Sequence, residues 1–446
     1  MKKINIALLG FGTVGTGVAK ILIENQDILR DRIGADLNLK YVADVDLETD
    51  RGVALGEGVL IRDAEKAIND PDIHIVAEMI GGLGIAREFT LKAFENGKHV
   101  VSANKALIAA QGKELIRIAT EKGTDFAFEA SVGGCMPIIK TLRETLVGNR
   151  IIAMTGILNG TCNYILSKIT DEGKSFEAAL AEAREGGFAE ADPTLDVEGF
   201  DASHKLAILN ALAYGMDINL DDIYVEGISA ITPMDIEFAG QFGYRIKLLG
   251  ISKNRGNAVE ARVHPTMIPF DNPLSNVNAN LNAVTVTGDA VDDIMLYGYG
   301  AGMMPTASAV VSDIADIARN LLSAGNAGRV PMLSYQPDCI RKIPVMPIDD
   351  ISTYYYFRFS ATDSPGVLSK IAGILGENDI SIQSVHQKGR KSQGLVPIVM
   401  MTHLAKEADV KNALAEIAAL DIVGKEPVLI RIEEVGSEKW EVGSGK

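Results

Sequence analysis

Cysteine is scarce in this chain: Cys135, Cys162 and Cys339 are the only three among 446 residues. They lie far apart and lack metal-ligand spacing, which excludes a disulfide framework and points to reduced thiols in a cytosolic protein. Basic charge is also short. The formal net charge of -16 argues against nonspecific nucleic-acid binding, which needs basic faces to displace counterions. No apolar run approaches the ~20 residues that span a bilayer, and no signal peptide precedes the first strand. The expected location is therefore the cytoplasm. The 47% hydrophobic and 23% charged residues are those of an ordinary globular protein, long enough for about three domains.

The first segment, KINIALLG, is an apolar strand that runs into GFGTVG and then an apolar-periodic helix, GVAKILIENQDIL. That context turns a weak glycine pattern into a dinucleotide site. Gly10 permits the tight turn, Gly12 lets the backbone approach a pyrophosphate, and Gly15 allows close helix packing. The second strand, LNLKYVADVD, ends at Asp44 and Asp46. An acid there hydrogen-bonds a ribose 2′-hydroxyl and favours NAD over NADP. No arginine immediately follows to hold a 2′-phosphate, although Arg51 and Arg62 are not far off. Strands IHIVAEMIGG, KHVVSA and DFAFEA then alternate with helices, the rhythm of a parallel sheet with a ligand crevice at its carboxyl ends. Lys105, in ANK, and the loop EASVGGCMP sit just past two such ends.

From Arg150 the pattern becomes α+β, with strands RIIAMTGIL, KLLGIS, AVEARVHPTMI and NAVTVTGD, and a large exposed sheet face that would mediate dimerisation. NGTCNYILSKIT opens on a turn and a helix N-terminus. The stretch EGGFAEADPTLDVEGFDASHK gathers Glu190, Asp192, Asp196, Asp201 and Lys205. With a helix begun by Asp201, Asp201 and Lys205 share a face four residues apart, while Glu190 and Asp196 approach from a loop. One ammonium among several carboxylates suits a small zwitterionic substrate; the plain alternative is an exposed ion pair worth ~0.3–0.5 kcal/mol. A Gly-rich turn (YGYGAG) precedes a long helix expected to return to the first domain. Residues 331–350 carry four prolines and read as a stiff, extended linker. Beyond them the order is βαββαβ, the ferredoxin-like unit, with a frayed tail from Gly436.

Taken together, AREGGFAEADPTLDVEGFDASHK (glycines, Asp-Pro, Asp196, then Gly-x-Asp201 and Lys205) resembles the signature of homoserine dehydrogenases, and FRFSATDSPGVLSKIAGILGENDISI resembles an ACT domain. The resemblance covers essentially the whole chain. With no aspartokinase-like segment before Met1, it implies the monofunctional form with a C-terminal ACT domain. The implied α/β architecture is a Rossmann-type domain (1–135, completed by helix 305–325), an α+β catalytic and dimerisation domain (136–304), a linker (331–350) and a ferredoxin-like ACT domain (351–435). The implied reaction is reversible NAD(P)-dependent reduction of L-aspartate 4-semialdehyde to L-homoserine, on the route to threonine, methionine and isoleucine.

The resemblance also implies roles. Lys205 becomes the proton donor, Asp201 orients it or a water, and Lys105 lies by the nicotinamide and the reacting oxygen. Glu190 and Asp196 hold the substrate ammonium, and Gly160 and Thr161 border its other end. Gly10, Gly12, Thr13, Val14, Gly15 and Gly302 bind coenzyme. Many members carry a basic residue where this chain has Asp44, so Asp44 weighs toward NAD. A monovalent cation, sodium, would be held by Glu129 and the carbonyls of Val132, Gly134 and Met136, an oxygen-only set suited to a hard ion. Asp363, Pro365 and Gly366, with Asn378 and Ile380 near the facing strand, mark an amino-acid effector site for threonine, in a homodimer or homotetramer. Two other readings differ in class: a non-catalytic amino-acid sensor, and an aldehyde dehydrogenase that would need a reactive cysteine.

Overall fold

The computed structural model describes residues 2–323, 330–387, 394–424 and 426–434; the expected fraying from residue 436 lies outside them. Six strands form a parallel sheet: β1 (Lys2–Leu9), β2 (Ala35–Ala43), β3 (Leu60–Ile61), β4 (Ile73–Glu78), β5 (His99–Ser102) and β6 (Phe126–Ala127), in the order β3-β2-β1-β4-β5-β6. Their residues are buried in near-continuous runs, as strands covered on both faces must be. The last strand is shorter than DFAFEA suggests. Only Phe126 and Ala127 pair with β5, because Glu129 turns inward to accept backbone N–H groups from residues 139 and 140.

The second sheet is built from β7 (Ile151–Ile157), β8 (Tyr224–Val225), β9 (Tyr244–Asn254), β10 (Val259–Pro269), β11 (Leu281–Gly288), β12 (Asp292–Tyr299), β13 (Ser352–Thr362), β14 (Ile382–Gln387), β15 (Leu395–Thr402), β16 (Ala405–Lys406) and β17 (Val428–Ile432). Its main path is β12-β11-β7-β9-β10-β17-β13-β15-β14. The four strands β17-β13-β15-β14 carry helices Val367–Glu377 and Glu407–Ala418, the ferredoxin-like unit. This unit does not hang on a free spacer. Its strand β17 pairs with β10 in parallel, Thr266 with Arg431 and Met267 with Ile432, so one sheet crosses both units. The proline-rich segment is likewise stitched down: Arg341 N donates to Gly215 O, and Val259 N to Pro344 O.

Two helices position the site. Helix Met303–Leu322 returns to the first sheet and packs on helix Thr13–Glu24, where a Cβ on Gly17 would lie 2.8 Å from Met303 O. Helix Phe200–Tyr214 is buried along almost its whole length, as its apolar sequence KLAILNALAYG requires. It begins at Gly199 (φ 85°) and ends on the left-handed Gly215. Polar side chains on such a helix must be paired.

Candidate active site

Asp201 lies on the first turn of that buried helix and is itself 6% exposed. Its Oδ2 accepts a hydrogen bond from Lys205 Nζ at 2.7 Å, and its Oδ1 faces Lys105 Nζ at 3.0 Å. Lys105 comes from elsewhere: it opens helix Lys105–Lys122 at the carboxyl end of β5. That corner is fixed by the buried Glu78, which accepts from Ser102 Oγ and from the N–H groups of Ile80 and Gly81. One carboxylate thus joins the two lysines that the sequence places a hundred residues apart.

Neutral groups complete the cluster. Leu158 O, just past β7, accepts Lys205 Nζ at 2.6 Å. Asn159 caps helix Gly160–Glu172 through Cys162 N, while its Nδ2 donates to both Asp201 Oδ2 (2.8 Å) and Asp196 Oδ1 (2.7 Å). Thr161 Oγ1 lies 2.7 Å from Phe188 O and 3.2 Å from Asp196 Oδ2. Gly160 starts the helix against residue 280, where a Cβ would lie 2.8 Å from Asn280 O. Glu190 is exposed on the loop above; Asp192 faces away, bonding Thr194. Asn159 and the Leu158 carbonyl are the members missed by sequence reasoning. The Asn-Gly-Thr helix start was the one available signal.

The electrostatics are uneven. Burial pushes the Asp201 carboxyl up, but the Lys205 and Lys105 charges and the hydrogen bonds from Lys205 and Asn159 outweigh it and hold it well below the usual range. Asp201 in turn raises Lys105, with smaller contributions from Asp196 and Glu190. Asp196 is raised by burial and then by Asp201. Among the described residues it meets an amide and a hydroxyl and no hydrogen-bonded cation. The cluster is therefore open to one more positive group. Cys162 is fully buried and burial drives its thiol well up, which removes it as a nucleophile.

The glycine turn fits a dinucleotide. Gly10 (φ 95°) has a Cβ position only 2.7 Å from Met79 O, and that of Gly15 is 2.0 Å from Gly10 O. At Gly12 the same position is open, and helix Thr13–Glu24 begins there without a side-chain cap, leaving its N–H groups to a phosphate. Thr13 and Val14 form its first turn. Gly302 (φ 131°) is the uncapped start of the returning helix, whose next residue, Met303, packs on Gly17 of helix Thr13–Glu24. Asp44 is already engaged, accepting Phe11 N at 2.5 Å and Asp46 N at 2.9 Å. Arg51, distant in sequence, stacks over the Phe11 ring and comes within 3.8 Å of Asp44.

Glu129 is 2% exposed, its carboxylate bonded by the N–H groups of Ile139 and Lys140. Burial and the neighbouring Asp313 push it up to about 8. Lys140 Nζ lies 3.8 Å from Asp313 Oδ1, yet burial still leaves both carboxyls raised, and an oxygen-liganded cation fits beside them. Val132 and Met136 are buried in the same loop, where Gly134 (φ 56°) packs on Tyr299 and Gly300.

In the C-terminal unit, Asp363, Pro365 and Gly366 line a cavity of about 460 Å³ with Gln387 and Ile398. Asn378 and Ile380 are not brought to it. Asn378 caps the far end of helix Val367–Glu377, and Ile380 is buried in the unit's core; the eleven-residue helix separates them from the turn.

Comparison with known families supplies the context for this geometry. Residues 137–315 match the model for homoserine dehydrogenase, residues 10–129 its NAD-binding domain, and residues 355–421 the ACT domain. Homoserine dehydrogenases of Neisseria gonorrhoeae and Pseudomonas aeruginosa are 45% and 44% identical, each across 98% of this chain and 100% of the relative. The crystal structure of a homoserine dehydrogenase from Thiobacillus denitrificans superposes with a TM-score of 0.92 at 45% identity, covering 98% of this chain and 99% of that one. A hyperthermophilic archaeal homoserine dehydrogenase in complex with NADPH gives 0.61 at 28% identity, over 73% of this chain and 99% of that one.

Proposed function

The chain belongs to the homoserine dehydrogenases, oxidoreductases that act on the alcohol group of homoserine with NAD(P), and from that premise we propose how its residues divide the reaction. It reduces L-aspartate 4-semialdehyde to L-homoserine reversibly, in threonine, methionine and isoleucine biosynthesis. Bound NADH or NADPH supplies the hydride. Lys205 gives the proton to the aldehyde oxygen and takes it back in the reverse direction. Asp201 fixes the lysine and holds Lys105 beside it, so that two cations face the developing alkoxide. Asp196, with Glu190 above it, receives the substrate ammonium; Gly160 and Thr161 border the carboxylate end.

The observation that carries this reading is Asp201 gripped between Lys205 and Lys105, with Asp196 on the same Asn159 amide. For the coenzyme, Asp44 weighs toward NAD, and Arg51 beside it is the cation available to a 2′-phosphate of NADP. Glu129, with the carbonyls of Val132, Gly134 and Met136, holds a monovalent cation that shapes the loop. Threonine, as end product, binds at Asp363, Pro365 and Gly366. The exposed Met295, Tyr297 and Tyr299 on edge strand β12 support assembly as a dimer through that face, in the cytoplasm.

The test is nicotinamide absorbance during homoserine oxidation, with NAD and NADP separately, with and without threonine, and in sodium or choline salts. Turnover with either coenzyme that falls by about 10²–10⁴-fold in Lys205→Ala supports the assignment. Full turnover in a folded Lys205→Ala protein would sink it.

A further inference from the structure

The carbonyl that receives Lys205 has a second donor. Leu158 O accepts Lys205 Nζ at 2.6 Å and Asn282 Nδ2 at 2.8 Å, so both of its lone pairs are used. Only the nitrogen end of an amide donates to a carbonyl, which fixes the orientation of Asn282. The side chain is fully buried, and its Oδ1 has no hydrogen-bond partner among the described residues. Burying an unpaired oxygen is unfavourable, and a residue kept there for packing alone has no need of an amide.

The surroundings of Asn282 join the other parts of the site. It stands near the start of β11, opposite Gly298 of β12. A Cβ on Gly300 would fall 2.2 Å from its amide, and one on Gly160 would fall 3.3 Å from its Oδ1. The turn before the returning helix and the helix start beside the substrate therefore both close on this one amide. The approach to Asn282 is pinned as well. Lys247, 3% exposed, donates to Asn163 Oδ1, Val277 O and Asn278 Oδ1, and Asn163 Nδ2 bonds Val277 O and Leu281 O. Residues 277–281 are in this way tied to helix Gly160–Glu172, and Asn282 cannot drift from Leu158.

We propose that Asn282 is a positioning residue for Lys205: by holding the Leu158 carbonyl from the side, it sets the direction in which that carbonyl and Asp201 together aim the ammonium. This rests on Lys205 being the proton donor. Loss of the amide frees the carbonyl to rotate and lets the ammonium settle between positions, which slows the proton transfer without touching the ammonium or coenzyme sites.

The experiment compares Asn282→Ala, Asn282→Ser and Lys205→Ala in the full-length protein, measuring kcat, both KM values, the solvent deuterium isotope effect on kcat and thermal melting. For Asn282→Ala, kcat for homoserine oxidation falls by about tenfold or more while both KM values stay within about twofold. The solvent isotope effect rises as proton transfer becomes slower than the other steps. Asn282→Ser, which keeps a small donor, recovers part of the rate, and it decides the matter should the alanine variant fail to fold. Unchanged kcat and isotope effect in a folded variant would overturn the inference, as would a rise confined to the coenzyme KM, which would assign Asn282 to packing under Gly300. Lys205→Ala with full turnover would instead reject the donor assignment, a separate outcome.

Discussion

Two regions of this molecule bury charge, and they do so differently. At the junction of the catalytic and ACT sheets, Arg262 is 2% exposed and bonds Glu260 and Glu433, while Arg255 and Lys253 take the remaining oxygens of those acids. Beside it, Arg431 bonds Glu407 and Glu226, and Tyr355 completes Glu407. Burial raises Glu260, but Arg262, Lys253 and Arg255 outweigh it and bring the carboxyl down to about 2. Every charge there is matched. Around Asp201 the matching stops short: among the described residues Asp196 meets no cation by hydrogen bond and is pushed up by burial, and the Lys105 side chain is 41% exposed. Saturated charge makes a joint; unsaturated charge with an opening makes a site.

The comparison breaks first at the joint. Replacing Arg262 by Met leaves two buried carboxylates short of a partner, at a cost of roughly 3–5 kcal/mol. Urea denaturation would show this as a lowered midpoint, with turnover per folded molecule retained. A stability change under ~1 kcal/mol would remove the junction's claim to be structural.

Lys247 sharpens the contrast as a buried charge whose hydrogen bonds among the described residues all go to neutral acceptors, Asn163, Val277 and Asn278. Burial, and then Arg245, bring it from 10.5 down to about 7. Its folded value lies below its unfolded one, so the unfolded chain binds the extra proton between those values. Stability should therefore rise with pH across that window. The gain from neutral pH to about 9 should reach about 2 kcal/mol and vanish in Lys247→Met, read as the difference between the two proteins' denaturation curves.

Much of this was legible in the chain. GFGTVG foretold three glycines with three distinct steric needs, and the Asp201–Lys205 spacing foretold a shared helix face, because both are local. Asn159, the Leu158 carbonyl and Asn282 were not legible: they meet their partners Asp201, Lys205 and Leu158 across 42, 47 and 124 residues. AVEARVHPTMI reads as a strand, and its sequence does not say what covers its faces. The structure buries both faces, since Glu260 and Arg262 neutralise one another and the ACT strand covers the edge of β10. The pairing of β10 with β17 joins residues more than 160 apart, and no local periodicity encodes it. The same holds for the linker, whose prolines signal extension and say nothing of what it lies against.

Within the site, Asp196→Asn should raise the homoserine KM by about tenfold, the worth of one charge-assisted hydrogen bond, with a smaller change in kcat. An unchanged KM would move the ammonium elsewhere. The smallest effect falls on the rim. Arg51→Ala should raise the KM for NADP by roughly fivefold and leave that for NAD nearly unchanged, because its charge is already shared with Asp46 and Asp44. Equal changes for both coenzymes would leave Arg51 as a brace for Asp44.

The most direct test measures turnover and melting on the same samples of Lys205→Met and Arg262→Met. The expected result is crossed: the first variant, whose Asp201 keeps Lys105 and Asn159 as partners, loses less stability than the second and turns over homoserine at least about a hundredfold more slowly, and the second melts earliest and, while folded, turns over normally. Two variants that lose turnover and stability together would contradict it.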